Sequence, residues 1–411
     1  MSARRVAITG IGIVSPIGCG LEAFWRSLAE ARSGVRRLPA DPASSGGVQV
    51  AAPVDWDPAA HFKGPEAGTL DRVTQFALVS AAQAIAAAGF DPAQADRERV
   101  GVYWGTGMGG ANTLESAYAQ VYGRRDFRLR PLTVVMAMNN AAGSNVAVRW
   151  GLMGPFANFS TACSSSAMAL GEAMRAIRDG RADAIVAGGA EALLTPATLA
   201  AWLAVRTLAP ADAADPAASC RPFHRRRAGL VLGEGAAAFV LEEEERAQRR
   251  GARILARLTG YGNSCDAVHM SKPDRDGQVR AMREALADAG LAPRDIGYIN
   301  AHGTATIVGD PVECEAIRLA LGEVGERVPV SSTKSMHGHL LGAAGALELA
   351  AALMPLCEGV LPPTAHLDEP DPACAVRHVA REAERAGDLR AVMSNSFGFG
   401  GSNVVLVAER A

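Results

Sequence analysis

A layered α/β fold is what this sequence predicts, and three observations predict it. Short runs of apolar or β-branched residues, several ending in glycine, alternate along the chain with segments of helical period. Two of those runs, Ala184-Ile-Val-Ala-Gly188 and Ile296-Gly-Tyr-Ile-Asn300, are largely apolar without alternation, as strands covered on both faces require. The 411 residues are 49% hydrophobic and 20% charged, enough to enclose a large core in one or two domains.

Taken in order, residues 6–12 read as a strand entering a turn and residues 70–88 as an amphipathic helix stopped by Gly89. Residues 279–289 read as a helix ended by Gly290. Val6-Ala-Ile-Thr-Gly-Ile-Gly12 is echoed by Ala256-Arg-Leu-Thr-Gly-Tyr-Gly262, just after a charged helix expected over residues 242–250. That echo suggests two halves, 1–250 and 251–411. The stretch 210–227, rich in Ala, Asp and Pro and closing on Arg225-Arg-Arg227, is expected to be an excursion on the surface.

Charge and cysteine usage exclude several classes. Forty-one Lys and Arg against 43 Asp and Glu leave a net charge of −2, without the basic field of a nucleic-acid binder. Electrostatic docking must then be local, and Arg225-Arg-Arg227, Arg124-Arg125 and Lys63 are the basic features in loops. The first apolar run is too short for a signal peptide or membrane span, so a cytoplasmic address is expected. Residues 340–356, the most apolar long segment, carry Glu348 at their middle and should form a buried helix of a soluble core. Seven cysteines, odd in number and without CxxC spacing, suit neither a disulfide framework nor a zinc site.

Four segments carry chemistry. Ser160-Thr-Ala-Cys163-Ser-Ser-Ser166 runs into a helix-period stretch, placing Cys163 at a helix start, where free N–H groups and the dipole favour a nucleophilic thiolate. His302, in Asn300-Ala-His302-Gly-Thr-Ala-Thr306, follows a strand end, the usual place for ligands in α/β sheets. Ser331-Ser-Thr-Lys334-Ser-Met-His337-Gly-His339 adds two histidines and a lysine; the HxH pair invites a metal, but no third ligand is near in sequence. Asn395-Ser-Phe397-Gly-Phe399-Gly-Gly401 lacks phosphate-loop spacing. It fits a gate over an apolar site, with Phe399 flanked by Gly398 and Gly400 and backbone N–H groups free for an oxyanion.

In this order and spacing the four segments resemble the β-ketoacyl-acyl-carrier-protein synthases, in particular the elongating Cys-His-His type of the thiolase superfamily. The resemblance implies a thiolase-like five-layer αβαβα fold of two pseudo-repeated halves. It implies that the half 1–250 carries the nucleophile, and that the half 251–411 carries the catalytic histidines and the glycine-rich gate loop. It further implies that Cys163 accepts an acyl chain from the phosphopantetheine arm of an acyl carrier protein, with no metal and no other cofactor. His302 and His339 would serve malonyl decarboxylation and the attack that follows; Lys334 matches the family's lysine, and Glu348 its partner on the helix. Thr304 and Thr306 match threonines that bind the pantetheine arm, and Met108 a position lining the acyl pocket; Met136 and Met138 are further candidates. The N–H groups of Cys163 and Phe399 would form the oxyanion hole. The implied state is a homodimer, or a heterodimer with a ketosynthase-like sister.

Departures from the family pattern are His337 in place of threonine, His224 and Ala228 in place of aspartates, and an unusual stretch at 125–138. They point toward a specialised acyl chain such as a polyene. The competing readings are a non-catalytic chain-length-factor-like partner, against which Cys163 and both histidines stand, and a biosynthetic thiolase. The latter needs a second cysteine near the C-terminal glycine loop, which has none in sequence.

Overall fold

The computed structural model describes residues 4–411. Two sheets with one and the same strand order organise it. In the first, Phe156–Phe159, Val100–Gly105 and Ala184–Glu191 run parallel, and Gly235–Glu243 and Val6–Ser15 follow antiparallel. In the second, Pro329–Ser331, Ile296–Asn300 and Ala391–Gly398 run parallel, and Ser402–Arg410 and Ala256–Cys265 follow antiparallel. The last strands of each meet edge to edge, Ala7 opposite Arg257 and Ile8 opposite Ala256, so that the sheets join.

The helix Arg72–Ala87 covers the outer face of the first sheet; Arg275–Ala289 covers that of the second, with Gly309–Leu321 packed against it. Between the sheets lie the inner helices Ser165–Arg178 and Ala344–Ala352, which touch each other and both sheets. This is the expected five-layer αβαβα arrangement. All nine residues of Ala344–Ala352 are buried, as a helix packed on every side requires.

The echoed Thr-Gly-x-Gly segments are equivalent strands, and their glycines have one physical reason. A Cβ on Gly12 would lie 1.9 Å from the Ser80 carbonyl oxygen, and one on Gly262 would lie 1.9 Å from that of Ala281. In both halves the outer helix approaches so closely that only glycine fits beneath it. Asp71 caps the first of these helices through the Val73 N–H, and Asp274 caps the second through the Gly277 N–H.

Two local expectations need correction. The charged helix begins at Glu244, because Glu242 and Glu243 finish the strand Gly235–Glu243. Glu242 is buried there, taking the Thr9 hydroxyl at 2.6 Å and the Arg250 guanidinium at 2.5 Å, and a paired carboxylate tolerates that position. The stretch 210–227 is not wholly an excursion: Cys220, Phe223, His224 and Arg227 are buried. The apolar segment Leu341–Glu358 has the length and hydropathy of a membrane span, but 89% of it is buried inside the protein, in keeping with the buried helix expected over residues 340–356.

Candidate active site

The TACSSS segment folds as a 3₁₀ turn, Ala162–Ser164, leading into Ser165–Arg178. Ala162 takes a left-handed backbone (φ 52°), a conformation of about 1–3 kcal/mol strain for a residue with a Cβ, which thrusts Cys163 to the turn's tip. The serines hold this geometry. Ser165 Oγ accepts the Thr161 N–H at 2.9 Å and donates to the Ala162 carbonyl at 2.7 Å. Ser164 Oγ donates to the Thr161 carbonyl at 2.8 Å, and Ser166 Oγ accepts the Ala346 N–H of the other inner helix at 2.9 Å.

His339 lies 3.0 Å from the Cys163 sulfur through Nε2. Its backbone is fixed on both sides, its N–H donating to the Val231 carbonyl at 2.7 Å and its carbonyl accepting the Gly233 N–H at 2.9 Å. The His302 ring stands edge-on to it, centroids 5.3 Å apart, and one donor atom from each of Cys163, His302 and His339 fits within 4.8 Å. Lys334 Nζ reaches the His302 carbonyl at 2.6 Å, His302 Nδ1 at 3.4 Å and Glu348 Oε1 at 2.5 Å. A lysine can only donate, so Nδ1 accepts and the imidazole proton is assigned to Nε2.

Burial dominates the electrostatics. It pushes the Cys163 thiol up to about 12, against the opposing pull of Lys334 and of the Phe399 N–H. The expected thiolate is therefore corrected: one short turn and its dipole do not outweigh complete desolvation, and the resting group is a neutral thiol. Burial, then Lys334, holds both His302 and His339 well below the usual imidazole range, so both are neutral. Glu348 is raised to about 7 by burial, with Lys334 opposing.

A cavity of about 380 Å³ opens from Cys163, lined among others by His302, Thr304, Thr306, Trp202 and Phe399. The Thr304 and Thr306 hydroxyls are 3.2 Å apart, separated by left-handed Ala305 (φ 64°). Arg227 holds this loop, donating to the Thr306 and Ile307 carbonyls at 2.9 Å each and to Asp371 at 2.5 Å. Phe399 stacks on Trp202, centroids 5.9 Å apart and planes inclined by 24°. Gly398 lies against the Cys163 turn, and Gly400 and Gly401, at φ 84° and 78°, form the loop's outer bend.

Other expected residues lie elsewhere. Met108 is 42% exposed and outside this cavity, as is half-exposed Met138; Met136 is buried. His337 turns away from His339: Nδ1 meets the Gly338 carbonyl at 2.7 Å and Nε2 meets Thr333 Oγ1 at 3.0 Å. The HxH pair thus forms no chelate. His224 is buried against Asp368, Nε2 to Oδ1 2.8 Å, and Arg227 is a buried tie rather than a surface charge.

Glu313 and Asn395 were missed as site residues. Glu313 accepts the His302 and Gly303 N–H groups at 2.8 and 2.7 Å, and Asn395 Nδ2 donates to it at 3.1 Å. The available signal was an acid on the buried stripe of Gly309–Leu321, beside Asp310 and Ile317.

Fold and site together define an acyltransferase of thiolase-like architecture. The chain belongs to the β-ketoacyl synthase family: residues 3–247 match its N-terminal domain and residues 255–368 its C-terminal domain. It is similar to 3-oxoacyl-acyl-carrier-protein synthase 2 of Coxiella burnetii, 41% identical over 413 residues, covering 100% of this chain and 99% of that one. Among solved structures, the ishigamide ketosynthase/chain length factor superposes with a TM-score of 0.92 at 32% identity, covering 100% of each chain. A type II polyketide synthase structure, of an acyl-carrier protein in complex with its ketosynthase bound to the hexaketide, gives 0.91 at 30% identity, also covering 100% of each chain.

Proposed function

We propose that this chain elongates acyl chains by decarboxylative Claisen condensation on an acyl carrier protein. The observation that carries the reading is the 3.0 Å pairing of Cys163 Sγ with His339 Nε2, beside a second imidazole. Because thiol and imidazole are both neutral at rest, the thiol proton passes to His339 Nε2 as sulfur attacks the incoming thioester. The oxyanion forms against the Cys163 and Phe399 N–H groups, and collapse expels the pantetheine thiolate, which takes the proton from His339.

Malonyl-carrier protein then enters. Loss of CO2 places enolate charge on the thioester oxygen, where His302 Nε2–H donates, joined by His339 once its ring proton has shifted from Nδ1 to Nε2. The carbanion attacks the carbonyl of acyl-Cys163, the acyl C–S bond breaks to release the Cys163 thiolate, which takes up a proton from solvent, and a β-ketoacyl-carrier protein leaves. Lys334, held by Glu348, fixes the His302 tautomer, and Thr304 and Thr306 receive the pantetheine amides. In this reading residues 1–250 supply the sulfur and 251–411 the histidines and gate, with no metal.

Carrier protein is the partner this chemistry needs, as in the polyketide complex above. The exposed apolar side chains of Tyr122, Phe127, Val134 and Val148, each at least 70% exposed, suit a second subunit, either a copy or a ketosynthase-like sister, and Met108 is assigned to the acyl pocket. The site of action is the cytoplasm. Of the departures, Ala228 lines the cavity and His224 is buried against Asp368, so it is Ala228 that supports a specialised chain over a housekeeping one. A thiolase would need a second cysteine in the cavity, and among its described lining residues Cys163 is the cysteine present.

Incubation with acyl-carrier protein, followed by intact mass and peptide mapping, should place the acyl group on Cys163. With malonyl-carrier protein, CO2 and a β-ketoacyl product should appear. Cys163→Ala should lower condensation by at least about 10⁴-fold and spare malonyl decarboxylation. Full acyl labelling of that variant overturns the reading.

A further inference from the structure

Glu191 ends the strand Ala184–Glu191 and is fully buried, yet neither the cavity nor the chemistry above uses it. Its carboxylate gathers backbone N–H groups from both halves of the chain. Oε2 accepts the Gly107 N–H at 2.7 Å and the Gly342 N–H at 2.9 Å; Oε1 accepts the Met108 N–H at 3.0 Å and lies 3.4 Å from the Thr106 hydroxyl. The Gly342 contact falls three residues after His339. Between them, Leu341 is left-handed (φ 43°), a conformation a β-carbon resists, and its side chain packs in one apolar cluster with Cys163.

The two glycines beside the carboxylate leave no room for a side chain, Gly107 because of the carboxylate and Gly342 because of both the carboxylate and the Thr106–Gly107 backbone. A Cβ on Gly107 would lie 2.8 Å from Glu191 Oε2, and one on Gly342 would lie 2.7 Å from the same oxygen and 2.2 Å from the Gly107 nitrogen. Two loops from opposite halves thus meet backbone to backbone, with one buried carboxylate binding both. A buried carboxylate with three backbone donors is strongly directional.

We infer that Glu191 is a positioning residue that locks the Met108 loop to the His339–Gly342 turn, so that the acyl-chain wall and the imidazole over Cys163 keep one fixed spacing. The inference rests on the ketosynthase reading above. Glutamine offers one acceptor oxygen where glutamate offers two, so Glu191→Gln must release either Met108 or the Gly107/Gly342 pair.

The test is the rate of Cys163 acylation from pantetheine thioesters of graded length, measured by mass spectrometry in wild type, Glu191→Gln and Gly107→Ala. The second variant keeps the charge and pushes the carboxylate aside through the far end of a flexible side chain, so it serves if Glu191→Gln does not fold. For either folded variant, kcat/KM for long chains should fall at least tenfold, and by at least threefold more than for a two-carbon chain, mainly through kcat. A role confined to stability would lower all lengths equally. Equal losses, or unchanged rates in a folded variant, overturn the inference; failure of the wild type to acylate Cys163 at all would instead overturn the ketosynthase reading.

Discussion

The two inner helices begin alike and end in opposite uses. Each follows a three-residue 3₁₀ turn, Ala162–Ser164 or Leu341–Ala343, whose first residue is left-handed, at φ 52° and 43°. The middle position of the first turn is Cys163; that of the second is Gly342, where a Cβ would lie 2.2 Å from the Gly107 nitrogen. One turn therefore presents a nucleophile and the other has no room for a side chain. The second half contributes instead through loops that follow its strands, His302 after Ile296–Asn300 and His339 beyond Pro329–Ser331. A repeated scaffold thus becomes a single asymmetric site, with sulfur from one half and imidazoles from the other.

The histidines offer the largest effect by which to break that division. His339 touches the sulfur and His302 does not, so their losses should differ in kind. His339→Ala should slow both Cys163 acylation and malonyl decarboxylation, and lower condensation by at least about 100-fold. His302→Ala should lower decarboxylation by about as much and leave acylation within about threefold of wild type. Rapid-quench mass spectrometry of the acyl-enzyme and CO2 release measure the two steps separately. Identical profiles in the two variants would dissolve the distinction between them.

The elements of this site differ in how far sequence alone exposes them. Cys163, His302, Lys334 and His339 stand in compact motifs because each is set by its own turn or strand end, a local device written in adjacent residues. Glu313, Asn395 and Glu191 act through backbone N–H groups of distant segments, and no spacing in the chain announces such a contact. Arg225-Arg-Arg227 misleads for a similar reason: composition signals a solvated run, whereas the third arginine finds Asp371 and two carbonyls across the half boundary. The protonation state of Cys163 is also hidden, since the turn that favours an anion is visible in sequence and the burial that opposes it is not. Repeat order was legible only as the Thr-Gly-x-Gly echo, because the strands converge on close packing against a helix rather than on sequence.

That balance at Cys163 gives the next effect. With the thiol raised to about 12, the protonated form prevails at every pH below that value, and the thiolate fraction grows about tenfold per pH unit. Iodoacetamide alkylation of Cys163 should accordingly keep rising from pH 7 to pH 9 without a plateau. A plateau near neutrality would mean that the turn's dipole and Lys334 prevail over burial, making the first half self-sufficient in activating its nucleophile. His339 would then be left with the malonyl half-reaction alone.

The smallest effect concerns the arginines by which the first half reaches outward and across. Arg225 and Arg226 are exposed; Arg225 pairs with Glu369 at 3.3 Å with both partners in solvent, worth about 0–1 kcal/mol. Arg227, two residues on, is buried and holds the loop bearing Thr304 and Thr306. If the exposed pair receives an acidic carrier protein, Arg225→Glu with Arg226→Glu should raise KM for carrier-bound substrate by about three- to tenfold and flatten its salt dependence. Turnover of a small pantetheine thioester should stay unchanged, since no contact to the cavity is lost. Arg227→Ala should behave oppositely, impairing carrier-bound and small substrates alike, because it releases the Thr306 and Ile307 carbonyls rather than an external partner. Steady-state kinetics on both substrates across a salt series distinguish the two. Equal losses from the exposed pair would place it among the ties between halves, and a carrier-specific loss at Arg227 would move the docking surface to the cavity entrance.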